Sequence, residues 1–182
     1  MNAGRKKSSK KNSKASNERA RPPKTRRRFS DDRDEAQYLH DKLVYWLYAT
    51  NTSPVRVRMF ANRLRRLISK HPCFMNTIRG NQDGALICEA LLDWAGVVRH
   101  KRKEIRLWYE LRATSQPGDS IARGKVASAA DLSLAYNELA HGLWKRGRRS
   151  EALATLERAK ALCKTEGTEY DDLGLEEMIR EL

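Results

Sequence analysis

The stretch LSLAYNELAHGLWKRGRRSEALATLERAKALC, residues 132–163, decides the fold. Its first half sets Tyr136, Leu139, Ala140 and Leu143 along one side of a helix, and its second half does the same with Ala152, Leu156 and Ala159. Between the halves, Gly147 can turn the chain left-handed at a helix end, a conformation that residues with a Cβ resist. Large and small residues alternate across the two stripes. The alanines stand where two helix backbones approach closely, and the leucines fill the space around them. The pattern predicts an antiparallel helix hairpin.

Upstream the period stays helical. Ser30 is placed to cap a first helix over residues 31–50, whose first turn carries Asp31, Asp32, Asp34 and Glu35 and whose stripe is Leu39, Leu43, Trp46 and Leu47. Ser53 and Pro54 start a second, with Val57, Phe60, Leu64, Leu67 and Ile68 inward, and His71-Pro72 ends it. A third helix is expected over 83–97, with Leu86, Ala90, Trp94 and Val97 inward. A fourth follows over 99–113, carrying Ile105, Trp108, Tyr109 and Leu111, with the turn between them near Gly96. A loop is expected over 116–125, after which Ser128 and Asp131 read as a capping box for the fifth helix. Thr168 and Asp171 read the same way for a last helix with the stripe Leu175, Met178, Ile179 and Leu182. No segment alternates with period two for long, so the fold class is all-α.

Residues 133–166 also resemble the tetratricopeptide repeat, a two-helix unit of about 34 residues. Tyr136, the pair Leu139-Ala140, Gly147, and then Ala152, Leu156 and Ala159 carry the likeness. Tyr136 stands for the frequent tryptophan, Leu143 for the usual tyrosine, and Lys164 where a closing proline is common. The resemblance implies hairpins stacked as a short solenoid. Residues 127–182 would form one hairpin plus a terminal helix with a wetted outer face, and residues 31–126 about four helices that lack the alanine spacing. It further implies a groove lined by the first helix of each hairpin, offered to an extended peptide or a partner helix. The groove positions would be Asn137, His141 and Lys145, flanked by Leu134 and Trp144. The family's clamp for a C-terminal carboxylate needs matching residues in several repeats, and none can be assigned.

The 182 residues suit one domain with an arm. Lysine and arginine number 37 against 23 acids, a net charge of +14, yet 40% of the chain is hydrophobic. Residues 1–30 hold twelve of the bases and one acid, Glu18, so +11 lies on the arm and +3 on the rest. The arm has too few apolar groups to offset the entropy of ordering and is expected to be disordered. Its blocks RKKSSKK and KTRRR include Arg5, Lys6, Lys7, Arg26, Arg27 and Arg28, the groups that would neutralise phosphates. Such an arm either engages a polyanion or serves solubility alone. The second helix is basic too, with Arg56, Arg58, Arg63, Arg65, Arg66 and Lys70 and no acid. These cations either bind an anionic partner or solvate the outside of a core helix, with the acidic C-terminal helix as an internal counterpart.

The longest apolar region, residues 85–98, is broken by Glu89 and Asp93, which excludes a membrane span there. The charged N-terminus leads into no apolar segment and does not read as a secretory signal. Cys73, Cys88 and Cys163 have no framework spacing and suit a reducing compartment. The expected location is the cytoplasm, or the nucleus or nucleoid if the arm is a targeting or polyanion-binding element. No phosphate loop, dinucleotide fingerprint, nucleophile elbow or H-E-x-x-H occurs. His71, Cys73, Cys88 and His100 lack structural-zinc spacing, and His141 reads as a solvated helix histidine. No cofactor, metal or catalytic residue is expected. The sequence favours a non-enzymatic protein-interaction scaffold, with a nucleic-acid-binding protein using the arm and helix 54–70 as the alternative.

Overall fold

The computed structural model describes residues 31–49, 52–114, 122–172 and 174–181, and the side chains of all of these except 122–128. Among them are seven α-helices, one short 3₁₀ turn and no strand. The chain is all-α. The arm, with Arg5, Lys6, Lys7 and Arg26–Arg28, and the expected cap Ser30 lie outside the described residues.

Helix α1 (Asp32–Tyr48) is capped by Asp31, whose carboxylate accepts from the Asp34 N–H at 2.8 Å. Helix α2 (Pro54–Ile68) starts at the expected proline, where the missing N–H leaves nothing unsatisfied. The 3₁₀ turn Pro72–Asn76 follows, and Thr77 caps α3 (Ile78–Ala90) by accepting from the Gly80 N–H at 2.9 Å. Then come α4 (Trp94–Thr114), α5 (Ala122–Lys145), α6 (Arg149–Glu166) and α7 (Leu175–Glu181).

Four expected boundaries move, the first being the start of α3, which lies at Ile78 under the Thr77 cap and not at residue 83. The third and fourth helices part at residues 91–93, and Gly96 lies inside α4. There Asp93 accepts from the Gly96 N–H at 2.9 Å, and a Cβ on Gly96 would collide with the Asp93 carboxylate and the Cys88 sulfur. This glycine serves close packing at a capped helix start. Helix α5 starts at Ala122, so residues 122–125 are helical, Ser128 and Asp131 are interior positions, and a division at 126–127 falls within one helix. At α7 the cap is Asp172, which accepts from the N–H groups of Gly174 and Glu176 at 3.1 Å, while Thr168 only closes the end of α6. Tyr109, Leu111 and Met178, expected inward, are exposed.

The turns of α3–α4 and α5–α6 are the same turn. In the first, the N–H groups of Leu92 and Asp93 donate to Glu89 O and Cys88 O at 2.9 and 2.8 Å. In the second, those of Gly147 and Arg148 donate to Trp144 O and Leu143 O at 2.8 and 3.0 Å. The left-handed position is Gly147, φ 74°, in one, and Leu92, φ 59°, in the other. A leucine there costs roughly 1–2 kcal/mol, and its side chain points into solvent, 66% exposed.

Helices pack in succession, each on the next in the chain, with additional contacts of α1 to α3 and α5 to α7. One apolar core gathers Leu39, Leu43, Val57, Ala61, Leu64, Leu67 and Ile87 from α1, α2 and α3. The other joins α4–α7 through Ile105, Leu132, Leu143, Leu156 and Ile179, with the expected hairpin residues Tyr136, Leu139, Ala140, Ala152 and Ala159 all buried. Each fully buried leucine contributes roughly 1.5–3 kcal/mol.

Two substitutions should shift the thermal midpoint in opposite directions. Ala152→Leu overpacks a site with no exposed surface and should destabilise by roughly 1–3 kcal/mol. Leu92→Gly removes the backbone strain at a small entropic cost and should stabilise by roughly 0.5–1 kcal/mol. An unchanged midpoint for the first, or a lowered one for the second, would contradict the packing and the turn respectively.

Candidate functional site

The largest feature that draws on both cores is a groove of about 830 Å³ between α1, α3, α5 and α7, with parts of α4 at its floor. The antiparallel pairs present mainly their first helices here, with Val97, Lys101 and Glu104 added by α4. Val44, Leu86, Val97, Leu134 and Leu175 give it apolar walls. Its charge is acidic: Glu89, Glu104, Asp131, Glu138 and Asp172 line it against Arg79 and Lys101.

Both of those cations are already committed. Lys101 Nζ, 5% exposed, donates to Glu104 Oε2 at 2.7 Å and pairs with Glu138, joining α4 to α5. Burial alone would pull the Lys101 pKa down, but Glu138 and Glu104 outweigh it and hold the ammonium above the usual lysine value. Gln82 donates to the other Glu104 oxygen at 3.0 Å. Arg79 pairs with Asp83 at 3.2 Å and donates to Gln37, and Asp83 also meets His40 Nδ1 at 2.6 Å. Carboxylates are therefore left in mutual repulsion. Glu89 titrates above the usual glutamate range through burial and then the charge of Glu138, and Asp131 is raised through partial desolvation and Glu104. The Tyr48 hydroxyl, raised by burial and by Glu89, donates to Glu89 Oε2 at 3.4 Å and stays protonated.

The residues expected from sequence divide around this groove. Asn137 lines it, but its amide is spent internally: Nδ2 donates to Asp171 O at 2.8 Å and Oδ1 accepts from the Tyr170 hydroxyl at 3.0 Å, fixing the α6–α7 connection. His141 also lines the groove and is half-buried, in contrast to the solvated histidine expected. It stands edge-on to Trp94 at 5.3 Å and lies 5.9 Å from Trp144, and burial followed by Lys145 lowers its pKa, so the imidazole is neutral at pH 7. Lys145 is outside the groove, its Nζ 4.2 Å from the Trp144 ring centroid. Leu134 is an exposed apolar wall, whereas Trp144 packs against the second core.

The basic helix finds its internal counterpart in α1. Arg63 bonds Glu35 at 2.6 Å and Lys70 lies 3.5 Å from Asp32, while the acids of α7 are used locally, Glu176 by Lys160 and Arg180. Arg65 bonds Asn62, Arg66 is exposed, and Arg56 lies over Trp46 at 5.3 Å. His71 bonds Asp32 and His100 bonds Asn81, with no metal-holding group of His, Cys, Asp and Glu among the described residues. The same residues contain no helix long and apolar enough to cross a membrane.

Sequence reading missed two features. Glu89 and Asp131 pass there as a break in an apolar run and as a capping partner, yet Asp131, Glu138 and His141 share one face of the helix with the exposed Leu134, at spacings of three and four. The other is a cationic depression of about 430 Å³ lined by Arg99, Arg102, Lys103, Arg106 and Arg146 with no acid. Its signal is the run RHKRKEIR at residues 99–106.

Glu89→Gln tests the repulsion. A carboxyl whose folded pKa is raised binds its proton more readily in the folded state, so it weakens folding at neutral pH, and that penalty fades as pH falls through the folded pKa toward 4.5. The variant should melt roughly 1–3 °C higher at pH 7 and gain nothing near pH 4.5; a gain independent of pH would point to packing instead. In comparisons with known proteins, no family model, no curated protein and no solved structure matches this chain.

Proposed function

We propose that the chain is a non-enzymatic interaction scaffold of the tetratricopeptide-repeat type, whose groove takes a cationic peptide or partner helix. One observation carries the reading: a groove lined chiefly by α1, α3, α5 and α7, with part of α4, whose five carboxylates face only two cations, Arg79, paired with Asp83, and Lys101, paired with Glu104 and Glu138. The matched turns of α3–α4 and α5–α6 support a repeat, and α7 takes the place of a terminal helix. Apolar walls would receive the stems of lysine or arginine side chains while the carboxylates meet their heads.

Fluorescence anisotropy with a labelled Lys/Arg-rich decapeptide and a Glu-rich control tests this. The basic peptide should bind, the acidic one should not, and Leu134→Arg, at an exposed wall position, should weaken binding at least tenfold. Equal affinity for both peptides, or indifference to Leu134→Arg, would sink the reading.

The cationic depression on α4 favours a second reading, nucleic-acid binding through phosphate contacts together with the arm. Binding to random duplex DNA should then fall with salt, and the double variant of Arg99→Ala and Arg106→Ala should reduce the slope of log K against log salt by about two. No binding at low salt would remove this reading.

A further inference from the structure

We propose that in the resting chain the groove is occupied by the chain's own basic arm, residues 1–30, which an external ligand must displace. The inference rests on the reading of the groove as a peptide site. Three observations carry it.

The first is charge. The arm carries +11, the rest of the chain only +3, and the groove lining sets five carboxylates against Arg79 and Lys101, an acidic excess that the Lys101 pairs with Glu104 and Glu138 only partly offset. Two surfaces of opposite sign on one chain are complementary to each other before any partner arrives.

The second is the point of attachment. The arm ends at Asp31, and Asp31 and Asp32 line a second depression, of about 890 Å³, with an apolar base of Ala36, Leu67 and Phe74. This depression and the groove share Arg79 as a lining residue, and the pair of Asp83 in the one and His40 in the other spans their boundary. The chain therefore leaves α1 at the head of a continuous path into the groove.

The third is reach. The block KTRRR at residues 24–28 is three to seven residues from Asp31, within about 10–25 Å of extended chain and so within reach of the nearer depression. The block RKKSSKK at residues 5–11 is about twenty residues from Asp31, a length of chain that suffices to span about 25 Å. That matches a groove crossed by four helices at about 8–10 Å spacing. A tether of this length gives a local concentration on the order of 1 mM, so an arm of only 100 μM intrinsic affinity would occupy the groove about nine-tenths of the time.

The test compares the full wild-type chain with a full-length variant carrying Lys6→Gln, Lys7→Gln, Lys10→Gln and Lys11→Gln, which changes no residue of either core. The labelled Lys/Arg-rich decapeptide should bind the variant about tenfold more tightly. Carbodiimide coupling of the wild-type chain should link those lysines to Glu89, Asp131 or Glu138, and in an equal mixture of ¹⁵N-labelled and unlabelled chains the links should join residues of one isotope. Equal affinity of the decapeptide for both proteins would overturn the arm as occupant while leaving the groove reading intact. Binding to neither protein would overturn the groove reading itself. Mixed-isotope links making up about half of the total, the share that random pairing between chains gives, would overturn docking within one chain.

Discussion

The fold depends on a single buried ammonium. Lys101 lies in the seam between the two apolar cores, held by Glu104 on its own helix and by Glu138 on α5. Around it are Gln82, Asn81 and Asp83 of α3, whose partners are Glu104, the carbonyls of Met75 and Thr77, and His40. Desolvating such groups costs several kcal/mol each, and the cost is tolerated only because every one of these side chains has a partner. An apolar seam would hold the halves at least as firmly. What the polar seam adds is direction, because the Gln82–Glu104 bond ties α3 to α4 and the Lys101–Glu138 pair ties α4 to α5 at the groove.

The charge of +14 describes the whole chain poorly. On the folded part the signs separate by surface: carboxylates in the groove, guanidinium groups on the exposed side of α4, and ion pairs between α1 and α2 that consume part of the basic helix. The same folded segment thus presents an acidic concavity and a cationic depression. Arg63 and Lys70 are less available to an outside anion than their density in sequence suggests.

Local periodicity and turn chemistry made most of the fold legible. The hairpin of α5 and α6, the start of α2 at Pro54 and the all-helical class all follow from 3.6-residue stripes and from the properties of proline and glycine. The α3–α4 turn did not, because Leu92 occupies the position where Gly147 stands in its counterpart and Gly96 drew attention to the wrong place. Capping signals misled in two places, since a serine or threonine three residues before an acid occurs at Ser128 and Thr168 without starting a helix there. The groove was legible only by halves. Its His141, Asn137 and Leu134 came from the resemblance, whereas Glu89, Lys101 and Glu104 become neighbours of Glu138 only through tertiary packing.

Because each helix packs chiefly against its successor, few long loops must close before native contacts form. Such topologies have low contact order and fold on the microsecond-to-millisecond scale. They also open piecewise, and the polar seam is the natural boundary between cooperative units. Amide protons of α1–α3 and of α5–α6 would then exchange as two separate populations, with α7, a helix of seven residues at the end of the array, releasing first. The polar groups that join the two cores beside the groove would therefore also mark the line along which the molecule comes apart.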